Sequence, residues 1–356
     1  MPIDSKDIKG HIDFVDKHKD IYNIKGAFAG SDVATTVAAI NSVLSVKAIS
    51  LEVAERSNNK WLMKQCWLRD NVSTPNSIHV TNIDEAIKAA NEIGLPYMVK
   101  SVDNAASRGC KLIKSSVDLE KAFENACKHS RTNTALIEEY VSGKEYSVES
   151  IIVKGDVNII SIAERHFDFL PYNIEIAHID PVNISDEQYN AIRDLVSSAA
   201  KSLGIDHGPA KSDIIADSSG FKILEMPARL SGGFHSQYTT PIRSGMEPIK
   251  AVMQLAIGEE INSNYIKPQR KRYSMCAGIF PKSGKLISIE GLQNAQNSEG
   301  VKEIICTKKP GDFISEYRDN GDRFFWIISE GETRDDAISN FELAKAKIKF
   351  IVETKK

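Results

Sequence analysis

Asp213 and Glu225 are the residues from which chemistry can be read most directly. They lie on two β-branched runs, GPAKSDIIAD and FKILEMPA, joined by the tight Ser218-Ser219-Gly220 turn, so in a hairpin both carboxylates can face one side. Hard oxygen ligands held a few ångströms apart suit Mg²⁺, which bridges carboxylates and substrate phosphates while keeping waters. A solvated hairpin face is the other reading. Arg229 and the Ser231-Gly232-Gly233 turn follow directly, setting a guanidinium and flexible backbone N–H groups where a phosphate would fit. The same stretch also reads as a turn whose arginine pairs with a surface carboxylate.

Lys100 ends an apolar strand ahead of DNAASRG. There Ala105, Ala106, Ser107 and Gly109 leave the backbone open to a polyphosphate that the lysine would neutralise. The loop has one glycine and no GxxxxGK[ST] pattern, so an ordinary hairpin tip stands beside the nucleotide reading. Glu138-Glu139-Tyr140-Val141 closes a strand just before Gly143, and Glu145 opens the next. Such a hinge can read an adenine edge through its main chain and ribose hydroxyls through a carboxylate; surface acids at a strand junction are the alternative. His166, His178, His235 and Arg243 can hold a substrate carboxylate, or the imidazoles can make structural hydrogen bonds.

These residues need a scaffold. Short β-branched runs alternate with helix-period segments, without a fixed repeat or low-complexity tract, the pattern of an α/β protein with parallel or mixed sheets. IYNIKGAFAG followed by DVATTVAAINSVL reads as a strand, a turn and a helix with Asp32 in its first turn, half of a Rossmann-like unit. A helix over 51–69 presents Lys60 near its middle and ends before Pro75. A helix over 83–93 precedes the hairpin of PYMVK and CKLIK, and a helix over 117–129 precedes the strand TALIEEYV. EYSVESIIVKGDVNIISIAE folds back at Lys154-Gly155-Asp156. HFDFLPYNIEIAHID reads as a loop, and 186–203 as a helix capped by Ser185. From about Lys267, strands, turns and a last helix over 333–351 form a C-terminal unit.

A chain of 356 residues exceeds one ordinary core, so two or three packed units are expected. With 42% hydrophobic and 26% charged residues it can bury enough apolar surface to fold. A net charge of -3 offers no general attraction to nucleic acid or an anionic membrane. The five cysteines are odd in number, widely spaced and without a C-x-x-C pair, which argues against a disulfide framework or zinc site. The N-terminus lacks the apolar core of a signal peptide and no segment approaches ~18 uninterrupted apolar residues, so a cytoplasmic protein is expected.

The order Lys60, Lys100, small-residue loop, EEYV, Glu145, Asp213, Glu225, Arg229 resembles that of the functional positions of ATP-grasp enzymes over most of the chain. Within that superfamily SDVATTVAAINSVL, NNKWLMK, LEMPARLSGG and GETRDDAISN are similar to biotin carboxylase, carbamoyl phosphate synthetase halves and bacterial L-amino-acid ligases. The resemblance implies an α/β fold, the α+β sandwich of ATP-grasp, with a partial Rossmann-like subdomain (1–75), a lid (76–143), a catalytic subdomain (144–264) and a C-terminal α+β domain (265–356). It implies that Lys60 and Lys100 bind ATP phosphates under a mobile loop, 103–109, containing Ser107 and Gly109. Glu138, Glu139 and Val141 would line the adenine pocket, Glu145 would hold the ribose, Asp213 and Glu225 the magnesium, and Arg229 the transferring phosphate. Substrate contacts would come from His178, Ser231, Gly232, Gly233, His235 and Arg243. Three departures stand out. Pro227 replaces a further oxygen ligand, leaving the count at one or two Mg²⁺ ions; the lid loop is poor in glycine; and about half of the front Rossmann-like subdomain is absent.

The implied reaction is ATP-dependent activation of a small-molecule carboxylate as an acyl phosphate, opened by an amine with release of ADP and phosphate. Phosphoryl transfer needs mainly positioning and charge neutralisation, so Lys100 and Arg229 are the expected catalytic residues. A small-molecule kinase and a non-catalytic ATP-binding scaffold are the alternatives. A homodimer is compatible with the resemblance.

Overall fold

The computed structural model describes residues 2–354. Its amino-terminal part is helical: α1 (Ile8–Tyr22), α2 (Ala34–Val43), α3 (Leu51–Asn58) and α4 (Lys60–Arg69). The strand expected in IYNIKGAFAG does not form. Ile21 and Tyr22 finish α1, and the stretch beyond is held by a side chain instead of a sheet neighbour. Asn41 of α2 accepts the Ala27 N–H at 2.7 Å and donates to its carbonyl at 3.0 Å. The single helix expected over 51–69 is two, because Asn59 is extended and caps α4 through its side chain, 3.1 Å from the Leu62 N–H. Lys60 therefore opens a helix, and its backbone N–H donates to the Val102 carbonyl at 2.8 Å.

A first sheet, β1 (Ser77–Val80), β2 (Tyr97–Ser101), β3 (Lys111–Ile113) and β4 (Ala135–Glu139), has the order β1-β4-β2-β3. The amphipathic helices α5 (Ile83–Ile93) and α6 (Leu119–His129) cover it. Ala86, Ala89, Phe123 and Ala126 pack there against Val80, Val99 and Ile137.

The main sheet begins with β5 (Lys144–Val153), β6 (Asp156–Asp168) and β7 (Ile174–Asp180), followed after α7 (Asp186–Leu203) by β8 (His207–Asp217) and β9 (Gly220–Glu225). The aromatic and histidine-rich stretch expected as a loop is therefore a hairpin, since its residues continue the ladder of β6 into β7. Helix α7 starts at a Ser185–Gln188 capping box and packs Ile192, Val196 and Leu203 on Val148 and Ile214, together with Trp67 of α4. The other face carries α8 (Thr240–Ser244) and α9 (Pro248–Ala256), whose Ala251 and Val252 meet Ile151 and Ile160.

Beyond them come β10 (Tyr273–Gly278), β11 (Gly284–Glu290), α10 (Leu292–Gln296), β12 (Val301–Cys306), β13 (Phe313–Ile314), β14 (Phe325–Gly331), α11 (Arg334–Lys345) and β15 (Lys349–Glu353). Three of these strands extend the main sheet to the order β12-β14-β10-β7-β6-β5-β8-β9, while β13-β11-β15 form a small sheet of their own. The last helix stops short of the expected 351, because Ile348, Phe350 and Val352 repeat every second residue and pack into the C-terminal core.

Gly143 joins the two larger sheets at a close approach: a Cβ there would lie 1.9 Å from the Ala216 carbonyl oxygen. Gly143→Ala is expected to destabilise the protein by about 1–3 kcal/mol, the usual range for overpacking. Urea denaturation reads this directly, and an unchanged midpoint would show that the junction yields.

Candidate active site

A cavity of about 360 Å³ lies between the two sheets. Its floor is built by register: Asp213 on β8 sits directly opposite Glu225 on β9, so adjacent strands present paired carboxylates to one side. Lys211, two residues before Asp213 and on the same face, is ion-paired with Asp213 and lies 3.7 Å from Glu225. Lys60 Nζ lies 3.8 Å from the other Glu225 oxygen. Burial pushes the Asp213 carboxyl up in spite of Arg165 and Lys211. Burial acts the same way on Glu225, but Lys60 and Lys211 outweigh it and hold that group below the usual carboxylate range.

Across the cavity Lys100 is ion-paired with Glu138. Arg229 reaches the floor from the turn after β9 and lies 2.5 Å from Asp32. The loop residues Ala105, Ala106 and Ser107 close one wall, and Glu139, Tyr140 and Val141 form another. Glu145 opens β5 opposite Arg165 of β6, and Arg165 Nη1 lies 3.6 Å from Glu145 and 2.9 Å from Asp213. One arginine thus joins the position expected at the ribose to the carboxylate floor.

Family comparison gives this geometry a context. Residues 93–237 match the model for the ATP-grasp domain, and residues 278–353 match L-amino acid ligase C-terminal domain 2. Residues 93–237 thus carry an ATP-grasp domain. An uncharacterized protein y4rH of Sinorhizobium fredii is 26% identical over 80% of this chain and 59% of its own length. The carbamoyl phosphate synthase large chain of Campylobacter jejuni is 23% identical over 58% of this chain and 19% of its own. The chain thus spans under two thirds of both curated relatives. The L-amino acid ligase structure from Bacillus licheniformis superimposes with a TM-score of 0.83 at 19% identity, covering 98% of this chain and 86% of that one. At such identity the likeness is one of fold.

Most positions expected to bind in an ATP-grasp site border the cavity, including His178, Gly232, Gly233 and His235. Gly109, Ser231 and Arg243 do not. Gly109 is packed behind the loop against Ala126, with φ +71°. Ser231 is buried and donates its backbone N–H to Glu149 at 2.9 Å. The Arg243 guanidinium is committed to buried Asp180 at 3.1 Å and to the Ile160 carbonyl at 2.8 Å. Burial and neighbouring His235 push His178 down to about 3. Burial also opposes protonation of His235, but Asp180 reverses this and holds its pKa above the ordinary value, so the two imidazoles are shifted in opposite directions.

Glu138 borders the cavity, but its carboxylate is sealed rather than offered to a base. It is 2% exposed and bonded to Lys64 at 2.9 Å, to Ser77 at 3.0 Å and to Lys100. The sequence reading missed Lys64, Lys211, Arg165 and Glu175. The i, i+2 spacing of Lys211 and Asp213 was a readable signal; Arg165 and Glu175 lay in a segment taken partly for a loop.

Two carboxylates with a cationic rim fit one divalent ion completed by phosphate and water, and among the described residues no group of three or more His, Cys, Asp or Glu is assembled to hold a metal by itself. Pro227 offers no side-chain oxygen, and its carbonyl already accepts the Lys211 N–H at 3.1 Å and the Arg229 N–H at 2.9 Å.

Burial raises the Glu138 carboxyl, but Lys100 and Lys64 overcome it and bring it from 4.5 to about 2. A depressed carboxyl stabilises the fold fully above its unfolded value and loses that contribution as pH falls through the folded one. Glu138→Gln leaves buried Lys64 without its counter-charge and is expected to cost about 3–5 kcal/mol at neutral pH. Urea melts of both proteins should show the gap closing between pH 4.5 and about 2; a gap independent of pH refutes the ion-pair account.

Proposed function

We propose that the chain is an ATP-dependent ligase that activates a small-molecule carboxylate as an acyl phosphate, for opening by an amine. The observation that carries this reading is the Asp213–Glu225 pair, directly opposed across β8 and β9, in one cavity with Lys60, Lys100 and Arg229. The arrangement puts anionic ligands for a cation beside fixed positive groups for phosphate oxygens, the requirement of phosphoryl transfer. The ATP-grasp and L-amino acid ligase C-terminal domain matches support it.

Asp213 and Glu225 would hold magnesium, which when bound neutralises phosphate charge and orients the transferred group. The chain's own residues supply the rest. Lys60 and Lys100 would balance the polyphosphate from opposite sides, under the 103–109 loop. Glu139, Tyr140 and Val141 would border the base, and Glu145 the ribose. Arg229 would stabilise charge on the transferring phosphoryl group and the acyl phosphate. His178, Gly232, Gly233 and His235 border the same cavity and would form the acyl end, where two imidazoles shifted in opposite directions would allow hydrogen bonding to a carboxylate. Arg243 and Ser231 would support that end from behind.

A kinase would transfer phosphate to one stable acceptor and release no free phosphate; a ligase needs two co-substrates. ADP release from mixtures of amino acids should require both partners and yield phosphate stoichiometrically. Arg229→Ala is expected to lower turnover about 100- to 1,000-fold, by analogy with loss of one preorganised donor, while a MgADP-induced rise in Tm persists. The same rise should vanish in Glu225→Ala. Near-wild-type turnover in the arginine variant would sink its assigned role.

A further inference from the structure

The 103–109 loop contains two consecutive non-glycine residues in the left-handed region, Ala106 at φ +60° and Ser107 at φ +60°. For residues with a Cβ this costs on the order of 1 kcal/mol or more each, and it persists only where the surroundings hold it. The restraint comes from the far end of the chain. Asn320, in the turn before β14, donates its backbone N–H to the Ala106 carbonyl at 2.9 Å and its side-chain amide to Ser107 Oγ at 3.2 Å.

The same side chain faces the central sheet. Its Oδ1 accepts the Glu175 N–H at 3.0 Å, while its carbonyl accepts from Arg323 Nε at 3.0 Å. Arg323 Nη1 donates to the Glu175 carbonyl at 2.9 Å. The Glu175 carboxylate takes Arg165 at 3.0 and 3.2 Å, and Arg165 lies 2.9 Å from Asp213. A continuous polar chain thus runs from the carboxylate floor through β6 and β7 to Asn320 and into the strained loop. Asn320 and Arg323 themselves border the cavity.

We infer that Asn320 is a positioning residue, a latch by which the C-terminal region holds the 103–109 loop in its closed conformation over the nucleotide end of the cavity. The loop's part in nucleotide binding rests on the function proposed above; the latch itself rests on the hydrogen bonds and the strained backbone. Asn320→Ala removes both side-chain bonds and keeps the backbone one, so the loop is loosened while its C-terminal anchor stays.

The test is amide hydrogen exchange of residues 103–109 in the full chain without nucleotide, for wild type, Asn320→Ala, Ser107→Ala and the double variant. Exchange in the loop should accelerate about tenfold in either single variant, a factor corresponding to about 1.4 kcal/mol. The double variant should add little, because both changes break the same side-chain bond. Exchange elsewhere should stay as in wild type. With ATP, the KM of Asn320→Ala should rise several-fold more than kcat falls. Unchanged loop exchange overturns the latch, as does an acceleration spread over the whole C-terminal region, which would mark a purely structural asparagine. Absence of ATP turnover in all four proteins would count against the proposed function and leave the exchange result to stand by itself.

Discussion

The site is organised around a carboxylate almost sealed from solvent. Glu138 lies between Lys64 and Lys100, with Lys64 1% exposed and Glu138 2%, and such burial is tolerable only because every charge has a partner. Desolvation pulls the Lys64 pKa down against Glu138, while Glu138 more than offsets burial and raises that of Lys100. The cluster also sets the geometry. Glu138 belongs to β4 and Lys100 to β2, adjacent strands of the first sheet, whereas Lys64 comes from α4. Lys64 Nζ also donates to Thr74 Oγ1 at 2.6 Å, which in turn donates to the Ile223 carbonyl of β9 at 2.7 Å. Helix, first sheet and main sheet therefore meet through one ion cluster. Lys100 is aimed by a partner it cannot leave cheaply.

The floor follows a different logic. Opposed carboxylates on neighbouring strands repel unless cations separate them, and Lys211, Lys60 and Arg165 do so from three elements. Pro227 helps to build this arrangement rather than merely omitting a ligand. Its carbonyl, taken by the N–H groups of Lys211 and Arg229, ties β8 to the turn that carries Arg229. A residue with a ligating side chain could gain a metal contact there; proline fixes φ and with it the path of the turn.

Much of this was legible because β-structure has a strict period. The GPAKSDIIAD and FKILEMPA hairpin, the Lys154-Gly155 turn and the 186–203 helix follow from alternation, turn residues and caps, and the structure has all three. Where the reading failed, a local signal was overruled by something non-local. IYNIKGAFAG looks like a strand, but Asn41 supplies the hydrogen bonds that a neighbouring strand would have made. The break at Asn59 was written in its capping side chain and masked by the helical propensity of both flanks. Glu138 looked like an adenine contact because sequence order carries no information about buried Lys64, 74 positions earlier. Arg243 seemed free to bind substrate because its partner Asp180 lies on β7, far from α8 in sequence.

The loop poor in glycine shows what such non-local contacts allow. A glycine-rich phosphate loop reaches left-handed backbone without strain and surrenders more conformational entropy when it orders. Ala106 and Ser107 reverse the balance: fewer conformations are available to the open loop, but the closed one is strained. Its stability must then come from outside, and Asn320 supplies hydrogen bonds worth roughly 1 kcal/mol each, comparable with the strain they oppose. Under the proposed latch, two terms of similar size and opposite sign would act on the loop. Small changes in the turn before β14 would then alter how firmly the loop is held, although that turn lies more than 200 residues from the loop in sequence.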